Sequence, residues 1–261
     1  MSYISRENAY RGGALVGLTG MIVVAFGRAA VRLALPVFGL GSAPPTDQIH
    51  QQLIADPVSG PIVRTISEKF PMELSQIEQR AQSRMRTYDD DNMIAKAMRT
   101  EFAGLYRQHL PDLAQAPHAN LTEVAAARLD LVNELRADSP SLCAAFGAGK
   151  VNPADLPEGR PRELLIALSQ AEWRGMAAGR DKPAGRQIGP IPPADAKALV
   201  AAMGKDGTSK FEMETFARNQ INDADVDIAC GATYHALRAV STLPEAQRDR
   251  VIADMIAARA S

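Results

Sequence analysis

The chain has 261 residues, room for one or two domains, and 46% of them are apolar, enough to build a buried core rather than a disordered tail. With 29 basic and 30 acidic side chains the formal net charge is −1, and no long single-sign run separates the halves, which disfavours nucleic-acid binding. Aromatic residues are scarce while Ala, Leu, Met, Glu, Gln and Arg are plentiful, so composition points to an all-α fold.

Residues 1–11 are polar and carry Arg6 and Arg11. Residues 12–27, Gly-Gly-Ala-Leu-Val-Gly-Leu-Thr-Gly-Met-Ile-Val-Val-Ala-Phe-Gly, then contain no charge at all. As a helix that stretch rises roughly 24 Å, somewhat less than the ~30 Å hydrocarbon core of a bilayer. Helix can continue to Leu35, where Pro36 stops it, and Arg28 and Arg32 lie one helical turn apart, placed to snorkel to one membrane interface. The expected element is a membrane anchor over 12–35. A cleaved signal peptide is the alternative, with Ala25 and Gly27 as its small residues. A buried helix of a soluble protein suits the length but not the absence of a polar face. Two arginines flank each side of the apolar run, so the flanking charges leave the orientation open and cysteine usage has to set it.

Residues 36–45 form a Gly/Pro linker, and a helical domain is expected over 46–261. Thr46 is a candidate cap for a first helix bearing Ile49, Leu53 and Ile54, and Asp56 to Pro61 reads as a turn. Helical spacing then covers 61–69, the run from Pro71 to Met85, and the run from Met93 to Tyr106, with a turn near Asp90. Further helices are expected at 120–137, 140–146, 160–179, 193–203, 209–220, 223–242 and 244–259. Asn222 or Asp223 is the expected cap of the penultimate one, and Pro244 the first turn of the last. No alternating β-branched pattern suggests a sheet, so the whole reads as an irregular multi-helix domain. Residues 181–193, with four prolines and two glycines, are the main internal break, either a subdomain boundary or a surface loop.

Chemistry-bearing motifs are few. Cys143 and Cys230 have no nearby second cysteine, so metal-finger and CxxC spacings are absent. Behind a membrane signal an even pair reads as one disulfide, which would close a loop of about 88 residues. The alternative is two buried core thiols among apolar neighbours. His235 follows Cys230 by five residues, about 140° around a helix, so the two do not form a local dyad. His50, His109 and His118 stand alone in sequence, without HExxH or His-x-His spacing, and no metal or cofactor is expected. Asp89-Asp90-Asp91-Asn92 lacks the spaced ligands of a calcium loop and reads as a helix-capping loop. Lys205-Asp206-Gly207-Thr208-Ser209 reads as a turn and cap. Gly147-Ala148-Gly149-Lys150 fails as a phosphate loop, because Ala144 and Val151 stand where Gly and Ser or Thr are required. Trp173 reads as a core anchor.

With no catalytic motif, the expected function is a protein-interaction or scaffolding module. It would be tethered by 12–35 to the bacterial inner membrane, with its helical domain in the periplasm and another envelope protein as partner. Two alternatives remain open. One is an enzyme whose site is assembled from distant residues such as Glu172, Asp227 and His235. The other is a small-ligand carrier with an apolar cavity between helices.

Overall fold

The computed structural model describes residues 45–85, 91–151, 156–218 and 220–257. Among these the chain is all-helical: α1 (Thr46–Ala55), α2 (Gly60–Lys69), α3 (Pro71–Met85), α4 (Asp91–Ala114), α5 (His118–Asp138), α6 (Pro140–Gly147), α7 (Arg160–Asp181), α8 (Pro193–Lys205), α9 (Lys210–Ala217), α10 (Val226–Thr242) and α11 (Glu245–Ala257). No helix among the described residues is long and apolar enough to cross a membrane. The segment 12–35, with Arg28 and Arg32, lies outside the described residues, as do Asp89 and Asp90.

Two helices organise the packing. α7 buries a broad face, from Leu164, Leu165 and Leu168 through Trp173 and Met176 to Gly179, and it packs against α2, α4 and α5. A narrow solvent-facing stripe remains, carrying Arg160, Glu163, Gln170, Arg174 and Asp181 at helical spacing, while the rest of the helix faces the core. α10 plays the same part in the C-terminal half, where α5, α6, α8, α9 and α11 pack on it. Its Ala229, Gly231, Ala232 and Ala236 are small, and they let neighbouring helices approach closely. At Gly231 a Cβ would sit within 1.8 Å of the Glu212 Oε1 atom. α5 touches both α7 and α10, and the buried apolar residues on either side of 181–193 belong to one continuous cluster. That segment is therefore a surface connection within one core.

Within the core, Trp173 is fully buried and meets Phe70 edge-on at 5.3 Å and Tyr106 at 6.0 Å between ring centroids. α7 crosses the α4–α5 turn so tightly that a Cβ on Gly179 would lie 1.8 Å from the Asp112 carbonyl oxygen.

The local signals resolve residue by residue. The turn expected over 56–61 ends at Ser59, because Gly60 and Pro61 already belong to α2, and it is held by Asp56, whose Oδ1 accepts from the Val58 and Ser59 amides at 3.0 and 2.8 Å. Ser209 and Glu212 form a reciprocal capping box at the start of α9, after Gly207 turns the chain at φ 81°. Three cap assignments need correction. Pro45, not Thr46, precedes α1, and its carbonyl accepts the first helical bonds. α10 begins at Val226 with Asp225 as its cap, its side chain accepting from the Asp227 amide at 3.1 Å. Pro244 sits just before α11 rather than inside its first turn, and its carbonyl accepts from the Arg248 amide at 2.8 Å. α9 ends at Ala217, short of 220, and α4 runs on past Pro111 to Ala114.

Candidate functional site

The loop from Lys182 to Pro192 runs as a strap over the surface, and between it and the start of α11 lies an open groove of about 690 Å³. Its walls are Ala184, Gly185, Arg186, Gly189, Pro190 and Pro192 on the strap, with Glu245, Ala246, Asp249 and Arg250 facing them.

One end of the strap is fastened with unusual thoroughness. Gln115, in the turn after α4, accepts from the Ala184 amide through its main-chain oxygen at 2.9 Å. Its side chain accepts from the Arg186 amide at 2.9 Å and donates to the Arg186 carbonyl at 2.6 Å. The Arg186 guanidinium then donates to the Ala116 carbonyl and to Asp249 Oδ2, at 2.5 and 2.8 Å. Beyond this clasp no main-chain hydrogen bond engages 187–191 among the described residues, and Ile191 packs against the core.

Asp249 is buried and shared. Its other oxygen, Oδ1, lies 2.7 Å from His118 Nδ1. That contact assigns the proton of the neutral imidazole to Nδ1, because a carboxylate only accepts. His118 Nε2 then accepts from Arg248 at 3.2 Å, with the exposed Glu245 carboxylate 3.6 Å away. Thr122 Oγ1 stands 3.5 Å from the same Nε2, so Asp249, His118 and Thr122 have the outline of a nucleophilic triad. The outline lacks the chemistry. A general base needs the Nε2 lone pair, and Arg248 occupies it. On the same α11 wall Arg250 is held by the buried Asp195, which accepts from its Nε and Nη2 at 2.6 and 2.9 Å. The hydrogen bonds from Arg250 hold the Asp195 carboxyl below its usual range, against the opposing effect of burial. The groove thus presents a fixed wall of paired charges.

The other sequence candidates go elsewhere. All four histidines place Nδ1 at 2.7 Å from a carboxylate: His50 on Glu78, His109 on Asp112, His118 on Asp249 and His235 on Asp206. None of these partnerships is legible from spacing except His109 with Asp112, three residues apart. Burial raises the Glu78 carboxyl, although its contact with His50 opposes the shift. Glu172, Asp227 and His235, weighed above as an assembled active site, fall in different places. Glu172 is buried between Arg128 and Tyr106, at 2.5 and 3.0 Å, and burial together with that carboxylate pushes the Tyr106 hydroxyl well above its usual range. His235 is held by Asp206, with Glu212 Oε1 4.0 Å from its other nitrogen, and Asp227 is exposed at the first turn of α10. No group of three or more His, Cys, Asp or Glu side chains among the described residues is arranged to hold a metal.

Cys143 and Cys230 are both buried and stand at disulfide distance, with Cα atoms 5.2 Å apart and their sulfurs joined. The pair ties α6 to the first turns of α10. Comparison with known proteins adds no relative: no family model, curated protein or solved structure matches the chain.

The groove residues escaped the sequence reading because they join positions up to 131 residues apart, as His118 and Asp249 are. The one usable signal was the cluster of prolines at 181–193.

Proposed function

We propose that this chain is a membrane-tethered helical module that docks another envelope protein in the groove between its strap and α11. The carrying observation is the contrast within the strap: residues 184–186 are clasped by Gln115, while Gln187, Ile188 and Pro190 stand exposed beside an open groove. A surface held rigid on one side and left unpartnered on the other suits a docking site, since little ordering entropy is lost on binding. The tether is the uncharged segment within 12–35, and the orientation with the domain in the periplasm rests on the cysteine pair, because disulfides persist in oxidising compartments. An enzymatic reading is weaker, because the Nε2 of the one imidazole beside the groove is engaged by Arg248.

The test is site-specific photocrosslinking in living cells of the source bacterium, with a photoreactive residue at Ile188 on the strap and, as a control, at the exposed Met72 of α3. A discrete adduct from position 188 and none from 72 is expected. Adducts absent from 188, or identical from both positions, would refute docking at the groove. Carbonate-resistant membrane association of the intact chain, lost on deletion of 1–45, checks the tether.

A further inference from the structure

The Nε2 atom of His118 is surrounded by partners for both protonation states of the ring. His118 opens α5 and is half-buried, and its Nδ1 is fixed on Asp249 Oδ1 at 2.7 Å, so Nε2 is the atom whose bonding can change. Around Nε2 stand Arg248 Nη2 at 3.2 Å, Thr122 Oγ1 at 3.5 Å and Glu245 Oε2 at 3.6 Å. A guanidinium only donates, a carboxylate only accepts and a hydroxyl does either. The neutral ring therefore suits Arg248, whereas an imidazolium, with a proton on Nε2, suits Glu245. Thr122 serves both.

The surrounding charges decide which group gives way. α11 presents Glu245, Arg248 and Asp249 to the ring, and the strap brings Arg186 onto Asp249. Charged groups on the other elements nearby are taken up among themselves: His109 with Asp112 on α4, Arg174 of α7 with Glu123, and Asp195 of α8 with Arg250. Two guanidinium groups and two carboxylates balance while the ring is neutral, and a proton on Nε2 leaves one positive charge in excess. Arg186 is pinned by Asp249 and the Ala116 carbonyl. The guanidinium of Arg248 has the imidazole as its one hydrogen-bond partner among the described residues, and its Nε–H is buried without an acceptor. Its departure removes the repulsion and returns that donor to water.

We infer that His118 is a pH-operated latch between α5 and α11: the neutral ring holds Arg248, and protonation in acid releases Arg248 to solvent and draws Glu245 onto Nε2. Imidazole is the side chain that changes charge between about pH 5 and 8, and this ring is open enough to exchange protons with solvent. Asp249 keeps both His118 and Arg186 in either state, so the clasped end of the strap stays in place. Glu245, which lines the groove while the ring is neutral, turns toward α5 when it is charged. The latch needs no occupant in the groove and stands apart from the docking reading.

The test is nuclear magnetic resonance of the full chain in lipid nanodiscs, with ¹⁵N-labelled histidine and arginine and ¹³C-labelled glutamate, from about pH 8 to about pH 5. At the upper end His118 should carry its proton on Nδ1, and the Arg248 guanidinium should rotate slowly. As the ring titrates, the Arg248 Nη signals should collapse to those of a freely rotating group and the Glu245 carboxyl signal should shift, both at the midpoint of His118. Glu245→Gln, at an exposed position, should lower that midpoint by about a two- to threefold change in the acid constant. A neutral ring protonated on Nε2 overturns the latch, as does a ring that stays neutral to about pH 5. So does an Arg248 guanidinium that rotates alike on both sides of the midpoint, or a midpoint that Glu245→Gln leaves unmoved.

Discussion

Replacing both cysteines, Cys143→Ala with Cys230→Ala, should destabilise the helical domain by an amount the topology sets. The two residues are 87 apart, so the chain-entropy relation puts the lost restraint on the unfolded ensemble at about 15 cal/mol/K, or roughly 4.6 kcal/mol at 25 °C. Both sites are fully buried, so removing the sulfur atoms adds a cavity cost of about 1 kcal/mol to the folded side. The expected loss is therefore about 4 to 6 kcal/mol. With a urea dependence of about 2 kcal/mol/M for a domain of this size, the midpoint falls by about 2 to 3 M. The assay is urea unfolding of the full chain in mild detergent, followed by far-ultraviolet circular dichroism. Wild type with and without reductant serves as an independent arm. Maleimide labelling in denaturant reports the pair directly: no thiol should react before reduction and two should react after. A midpoint shift below about 0.5 M, or two reactive thiols in protein never exposed to reductant, would refute both the link and its energetic role.

The remaining expectations concern the core, the pH response and the strap. Glu172→Leu leaves the buried Arg128 without its carboxylate and should cost about 3 to 5 kcal/mol, most of it recovered in Arg128→Met with Glu172→Leu, as a double-mutant cycle in urea would show. Gly179→Ala forces a Cβ against the Asp112 backbone and should cost about 1 to 3 kcal/mol, whereas Gly204→Ala, inside α8 with open space around it, should be neutral or stabilise by up to about 1 kcal/mol. Burial raises the Asp254 carboxyl from 3.8 to about 6. A raised carboxyl penalises the folded state above its folded value, and the penalty disappears once pH falls below the unfolded value. Asp254→Asn should thus raise the urea midpoint at pH 7.5 and leave it nearly unchanged at pH 3.5; equal gains at both would contradict the assignment. Gln115→Ala removes both side-chain bonds to the Arg186 main chain, so amide exchange at Arg186 should accelerate at least tenfold while the α7 core amides stay protected.

Much of this architecture was legible in the chain. Helical periodicity located the helices after residue 45, because apolar residues at i, i+3 and i+4 must face a core wherever the helix sits. Pro, Gly and Ser punctuation located the two turns near 56–59 and 206–209, though Gly60, Pro61 and Lys205 fall inside the flanking helices, since those residues act through local φ restrictions and side-chain bonds that need no distant partner. Local chemistry failed where several candidates competed. Asn222, Asp223 and Asp225 are all competent caps by residue type, and the structure uses the last.

The sequence alone determined the fold class, the uncharged N-terminal stretch and the availability of one cysteine pair, because composition and period act over a few residues at a time. Which carboxylate each histidine meets, which side chains share a groove, and that residues 181–193 are a strap over one core were decided only by tertiary structure. Those relations join residues up to 131 positions apart, and no local rule specifies which helix faces close on one another. The strap shows the division most plainly: its prolines announced a break in helical structure, and the Gln115 clasp, with Arg186 drawn onto Asp249, turned that break into one wall of a groove.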